Sequence, residues 1–243
     1  MSAEPKRVVL SWSGGKDAAW ALHELRRDPA IEVAGLVTTV VPAFQRVAMH
    51  GVRVELLRAQ AAAAGLPLVE VGLEWPSSNA QYEAAMRSAL EEVRRGWSVT
   101  HVAFGDLFLA DVRAYRERLL EDTGLEPLFP IWLRATRALV EDMLQSGVRA
   151  HIVCLDPSRL PRELAGRVLD RALLEALPPE VDPCGERGEF HTFVSEGPML
   201  RGRVDVVPGE VVEREGFVYA DLVRCVVSAS GTVIPSEARD LAR

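Results

Sequence analysis

Ser13-Gly14-Gly15-Lys16-Asp17 gathers a hydroxyl, two glycines, an ammonium and a carboxylate into five positions. Val8-Val9-Leu10 before it reads as a buried strand, and Ala18, Ala21, Leu22 and Leu25 after it recur at helical spacing. A Ser/Gly turn between a strand and a helix points several backbone N–H groups one way, at the positive end of a helix dipole. That arrangement binds anions, phosphate above all. It is not a Walker A loop, because Leu10 stands where that pattern needs its first Gly and Asp17 where it needs Ser or Thr. The plain alternative is an ordinary glycine turn at a strand end.

Other chemistry-bearing residues lie further along. His50-Gly51 precedes a helical stretch and reads either as a contact to an anion or as a packing histidine. Gly105-Asp106 ends an apolar run. Asp106, with Asp17, is a candidate magnesium ligand, since that ion takes one or two carboxylates with phosphate oxygens and water; a helix cap is the other reading. Cys184-Gly185-Glu186-Arg187-Gly188-Glu189-Phe190-His191-Thr192 packs two carboxylates, a histidine and a threonine into one turn. On a strand, Glu189 and His191 would share a face and bind substrate or move a proton; a polar turn is the alternative.

The elements that must position these residues alternate. Val33–Val40 reads as a strand, His50–Ala64 as a helix and Leu66–Val71 as a strand. A helix capped near Ser77-Ser78-Asn79 comes next, then a strand over Val99–Phe104. Apolar strands alternating with helices predict an α/β fold with a parallel, doubly wound sheet. Ligands of such sheets bind beyond the carboxyl ends of the strands, where the phosphate loop, Thr38-Thr39 and Gly105-Asp106 all fall. In the second half, Leu125–Trp132 reads as a Pro/aromatic linker, Thr136–Ser146 as a helix, Val148–Leu155 as a strand and Arg167–Leu177 as a helix. Val204–Val227 reads as two or three strands that complete a small lobe or form a homodimer contact. The expected division is a nucleotide-binding domain over 1–130, a smaller substrate-side α/β lobe over 131–227 and a weakly ordered tail over 228–243.

Composition removes several classes. A net charge of −7 over 243 residues gives no electrostatic footprint for general nucleic-acid binding. No run is long enough to span a membrane and no signal-peptide core opens the chain, so a cytoplasmic location is expected. Cys154, Cys184 and Cys225 form neither a CxxC pair nor a zinc spacing.

Ser13-Gly14-Gly15-Lys16-Asp17 resembles the pyrophosphate loop of ATP pyrophosphatases that make adenylates. The Cys184–Thr192 stretch is similar to the CGENGEFHT signature of the diphthine–ammonia ligase family. So are Met49-His50-Gly51-Val52-Arg53, Phe104-Gly105-Asp106-Leu107, Tyr115-Arg116 and the Gly124–Trp132 segment. The resemblance runs in order from about Arg7 to Val194. It implies an adenine nucleotide α-hydrolase-type sheet with a smaller carboxyl-terminal lobe. It also implies an ATP- and Mg2+-dependent ligase that adenylates a carboxylate, releases pyrophosphate and lets ammonia displace AMP. Archaeal and eukaryotic members act on diphthine, a modified histidine of translation elongation factor 2.

Carried onto this chain, Ser11, Ser13, Gly14, Gly15, Lys16, Asp17, Val37, Thr38, His50, Gly105 and Asp106 would contact ATP. Asp17 and Asp106 would hold the metal, and Lys16, Asp17, Glu186, Glu189 and His191 would serve catalysis. Ala18 stands where the family has Ser and Arg187 where it has Asn; the first bears on efficiency, the second on substrate. The Ala/Arg/Leu-rich composition points toward a bacterial chain from a GC-rich genome, and bacteria are not expected to contain diphthamide. The carboxylate, a small molecule or a protein side chain, therefore stays open. So do a regulator that binds ATP or AMP without turnover and an ATP pyrophosphatase using another amine.

Overall fold

A computed structural model describes residues 4–47, 50–227 and 233–235. The chain begins with β1 (Lys6–Ser11), α1 (Lys16–Arg27) and β2 (Ile31–Val41), then β3 (Arg46–Val47) and α2 (Val54–Ala64). β4 (Leu68–Gly72), α3 (Asn79–Trp97), β5 (His101–Ala103), α4 (Ala110–Leu120) and β6 (Glu126–Leu128) follow. Val8, Val9 and Leu10 of β1 are fully buried, as a central strand covered on both faces requires. The five parallel strands lie in the order β4-β2-β1-β5-β6, and β3 folds back antiparallel on β2. Strand order therefore reverses between β1 and β5, which is where such sheets open a ligand crevice.

The second half supplies α5 (Thr136–Gln145), β7 (Arg149–Leu155), α6 (Arg171–Ala176), β8 (Phe190–Glu196), β9 (Val206–Arg214), β10 (Phe217–Val227) and β11 (Val233–Pro235). Its five strands pair antiparallel in the order β11-β10-β7-β8, with β9 also on β10. The α/β architecture with a large parallel sheet and a smaller lobe is as expected. Val204–Val227 forms β9 and β10 and completes the small sheet through β7.

Three local expectations need correction. Leu125–Trp132 is not a linker: Glu126–Leu128 is the edge strand β6, paired in parallel with β5, and Pro127 is tolerated because the edge has an unpaired side. The helix expected from His50 begins only at Val54. Gly51 adopts φ +67°, and the Val52 carbonyl accepts from the Val47 N–H while Arg53 bridges Arg46, so Val52 and Arg53 pair with β3 instead of entering the helix. The helix expected from Arg167 begins at Arg171, because Arg167–Leu169 is drawn into pairing with β7. Asp170 then caps it, accepting from the Leu173 N–H at 2.7 Å. The tail over 228–243 lies outside the described residues apart from β11.

The α3 start matches its reading closely. Ser78 and Gln81 form a capping box, each side chain bonding the other's backbone.

Candidate active site

The Ser13–Asp17 loop joins β1 to α1 beside the strand-order reversal. Gly14 sits at φ +78°, where glycine is favoured and where a Cβ would stand 2.7 Å from Gln60 Oε1. Gly15 caps α1 with no side-chain cap bond of its own. From the other side of the crevice, Gly105 presses its backbone against the start of α1. A Cβ there would lie 2.8 Å from the Ala18 nitrogen and 2.9 Å from the Asp17 carbonyl carbon. Gly105→Ala is therefore expected to cost about 1–3 kcal/mol, since backbone rather than a side chain must give way. Urea unfolding measures it, and an unchanged midpoint would contradict so tight a contact.

Two distant segments interlock on the loop. The Lys16 N–H donates to Thr192 Oγ1 at 3.0 Å, and the Val194 N–H donates to the Gly14 carbonyl at 2.9 Å. Gln60, fully buried on α2, completes the seam. Its Nε2 donates to the Gly14 and Val194 carbonyls at 3.0 and 2.5 Å, and its Oε1 accepts from Trp12 Nε1 at 3.1 Å. Sequence reasoning missed Gln60; its one signal was a polar residue on the apolar face of a helix.

Lys16 is only 2% exposed. Its Nζ donates to Asp17 Oδ2 at 2.8 Å and to the Cys184 carbonyl, and it lies 5.4 Å from the Phe190 ring centroid. Burial opposes its charge, but Asp17, the Cys184 thiol and Glu186 outweigh that and hold its pKa above the ordinary lysine value. Burial pushes the Asp17 carboxyl up, against the pull of Lys16.

Glu186 reaches the other side of the crevice, where its Oε1 accepts from the Leu107 N–H at 2.7 Å. Burial raises its pKa to about 7; Asp17 and Asp106 add to that, and the Leu107 N–H opposes it. A carboxyl group raised from 4.5 contributes stability fully below pH 4.5 and loses it as pH rises through about 7. Glu186→Gln keeps the Leu107 bond and removes the titration. The melting temperature of this variant relative to the parent is expected to climb between pH 4.5 and 8; parallel profiles would rule out this carboxyl as the titrating group.

Glu189 does not form the proton-handling pair with His191 that the sequence suggested. It is fully buried just ahead of β8, and its two carboxylate oxygens accept from the Asp182 and Arg187 N–H groups, each at 2.9 Å. This geometry closes the turn. His191 instead meets His50, ring centroids 4.4 Å apart. Burial lowers the pKa of His191 to about 4, helped by Lys16, and lowers that of His50 well below its ordinary value, helped by His191 and Lys16. Both rings are therefore neutral at pH 7. Arg187, the departure from the family signature, is exposed and places its guanidinium 5.7 Å over the Phe108 ring.

Beside the loop lies a hollow of about 590 Å3, walled in part by Ser11, Ser13, Val37, Thr38, His50 and Arg116. Thr38 Oγ1, His50 Nδ1, Ser77 Oγ and Arg116 Nε are buried there without a hydrogen-bond partner among the described residues. Gly14, Gly15, Lys16, Asp17, Gly105 and Asp106 are not in that wall. A neighbouring hollow of about 290 Å3 shares Val47 and Trp75 with it and is lined also by Tyr219 and Asp221 of β10. Arg46 and Arg53 both bond Asp221, which ties the β3 hairpin to the small sheet.

Magnesium fits the residues present in a limited way. Asp17 Oδ1 and Asp106 Oδ2 are buried without a hydrogen-bond partner among the described residues. No group of three or more His, Cys, Asp or Glu there is placed to hold a metal unaided. That suits an ion bound chiefly through phosphate oxygens and water.

Fold and site together define a doubly wound α/β protein with a glycine loop between β1 and α1 and a polar-lined pocket at its strand-order reversal. The family model for the diphthamide synthase N-terminal domain matches residues 6–127, and that for the diphthamide synthase C-terminal domain matches residues 135–226. The chain belongs to the diphthamide synthase family. A Bos taurus protein named diphthine–ammonia ligase is 26% identical over 241 residues, covering 88% of each chain. The Homo sapiens protein of that name is 28% identical over 137 residues, 54% of this chain and 51% of that one. The Schizosaccharomyces pombe protein of that name is 27% identical over 150 residues, 56% of this chain. This match spans a quarter of the yeast protein's length. Among the described residues no helix is long and apolar enough to cross a membrane.

Proposed function

We propose that this protein is an ATP-dependent amide ligase of the diphthine–ammonia ligase type. An acceptor carboxylate oxygen attacks the α phosphorus of ATP, the bond from that phosphorus to the bridging oxygen breaks, and pyrophosphate leaves with the bonding pair. Ammonia then attacks the acyl carbon of the mixed anhydride, AMP departs, and the nitrogen sheds a proton. The observation that carries this reading is the seating of Lys16, whose ammonium bonds both Asp17 of the loop and the Cys184 carbonyl of the signature turn, while its backbone N–H donates to Thr192.

In this reading the backbone N–H groups of Ser13, Gly14 and Gly15 receive the departing phosphates, the Gly15 N–H giving up its 3.3 Å bond to Ser13 Oγ, and Lys16 offsets charge building on the bridging oxygen. Val37 and Thr38 border the adenine. Asp17 and Asp106 would hold the magnesium ion, which when bound neutralises phosphate charge. Glu186, whose pKa of about 7 suits proton transfer near neutrality, accepts the proton shed by the nitrogen. The neutral imidazoles of His50 and His191 line the approach without repelling an ammonium ion. Glu189 acts by holding this turn in place, and ammonia comes from solution.

The test is ATP turnover with magnesium, resolving AMP plus pyrophosphate from ADP plus phosphate, with and without ammonium and a cell-extract small-molecule fraction or elongation factor carrying diphthine. Ammonium-dependent AMP release is expected with one of these acceptors. AMP release indifferent to ammonium would favour a pyrophosphatase. Tight ATP binding without AMP would favour a regulator, a reading that the enclosure of Lys16 to 2% exposure also suits.

A further inference from the structure

A nucleotide brings several negative charges into this pocket, and among the described wall residues Arg116 alone carries a permanent positive one. His50 is held neutral by burial, and Lys16 lies outside this wall. Arg116 is fixed on α4 by three contacts. Its guanidinium lies 5.2 Å over the Phe104 ring, its Nη1 donates to Tyr82 Oη at 3.2 Å, and its Nε stands 3.5 Å from Asp106 Oδ2.

The last contact is incomplete. Both Nε and Oδ2 are buried, and neither has a hydrogen-bond partner among the described residues. A buried ion pair repays its desolvation only when its hydrogen bonds close, so this open pair is arranged for a third group between or beside its members. The two members call for different groups: a carboxylate-like or phosphate oxygen satisfies the guanidinium, which offers a planar fork of donors, whereas Asp106 Oδ2 needs a donor or a cation.

Position decides which phosphate. Asp106 follows Gly105, whose backbone touches the first turn of α1, so Arg116 stands at the phosphate-loop end of the hollow. It shares that hollow's wall with Val37 and Thr38, whereas Gly14, Gly15 and Lys16 do not. Arg116 is thus on the nucleoside side of the loop, and the first phosphate beyond a nucleoside is the α-phosphate. Resting on the nucleotide reading above, we propose that Arg116 binds the α-phosphate of the adenine nucleotide, taking it in place of an unclosed bond to Asp106.

Calorimetric titration of the full chain with adenosine, AMP and MgATP tests this directly. Arg116→Gln is expected to weaken AMP and ATP by about 10- to 100-fold and to leave adenosine within about twofold, the loss of one charge-assisted contact. Arg116→Lys, which keeps the charge and loses the fork, is expected to recover part of the AMP affinity. Loss of adenosine along with AMP in a folded variant would overturn the assignment, because the side chain would then shape the pocket without reading phosphate. Loss confined to ATP would also overturn it, placing the contact on the β or γ phosphate. Should Arg116→Gln fail to fold, Tyr82→Phe decides: it loosens only Nη1, and an AMP-selective loss supports the proposal while an equal effect on adenosine refutes it. The unaltered protein tests the other reading separately. Failure to bind any nucleotide removes the ligase proposal, whereas binding of all three with Arg116→Gln unchanged removes Arg116 alone.

Discussion

Lys16→Met is expected to lower pyrophosphate release by about 100- to 1000-fold, the range for removing one preorganised group that stabilises transition-state charge. The lysine is the point where two remote segments meet, so the effect has two parts. In the proposed reaction, the bridging oxygen loses its counter-charge as the bond to the α phosphorus breaks. Structurally, Asp17 Oδ2 loses its partner at 2.8 Å while Oδ1 already lacks one among the described residues. Breaking a fully buried pair costs about 3–5 kcal/mol; here about 2 kcal/mol is expected, because the Asp17 side chain keeps 24% of its exposure. Urea unfolding monitored beside the pyrophosphate assay separates the two parts. Unaltered pyrophosphate release from a destabilised variant would make Lys16 a structural residue only.

Gln60→Leu should produce the largest loss of stability of any single change considered. The side chain is fully enclosed and joins α2 to the anion loop and to β8 through three hydrogen bonds. Leucine matches its size but strands the Trp12 indole N–H and leaves the Gly14 and Val194 carbonyls one donor short. The Gly14 carbonyl retains the Val194 N–H, so its loss is partial. Each buried polar group left unsatisfied costs about 1–3 kcal/mol, which puts the whole change at about 3 kcal/mol or more. Nucleotide affinity should fall as well, since Gly14 holds a left-handed conformation against this side chain. Gln60→Glu is the informative companion, as it retains the acceptor for Trp12 and loses the donor to the two carbonyls. A Gln60→Leu variant with parental stability and nucleotide affinity would show that the seam is held by β8 packing alone.

Much of the large sheet was legible because its signals are local. Val8-Val9-Leu10 is apolar enough to be buried on both faces, and Ser78 with Gln81 caps α3 through contacts three residues apart. Boundaries failed where a tertiary partner overruled a local pattern. Glu126–Leu128 carries a proline and looks like a connector, yet β5 offers it an edge to pair with. Arg167 to Leu169 looks helical, yet β7 takes its backbone.

Within the candidate site, the Ser13–Asp17 loop and the Cys184–Thr192 turn were each visible as residue types at fixed spacing. Their meeting was not, because it joins positions 176 residues apart, Lys16 and Thr192. The same reason separates the roles of the two signature carboxylates. Sequence presents Glu186 and Glu189 as equals. Burial and the direction of nearby N–H groups send Glu186 across the crevice to Leu107 and turn Glu189 inward to close its own loop.

The sequence by itself determined the alternation of strands and helices, the Ser13–Asp17 glycine turn and the family signatures, since these rest on short-range pattern and backbone conformation. Only the tertiary structure decided that Gln60 joins the lobes, that His50 meets His191 and that Arg116 is the permanent cation among the described residues of the pocket wall. Such pairings come from packing whole elements against one another, and no local pattern records which side chains face each other once that packing is complete.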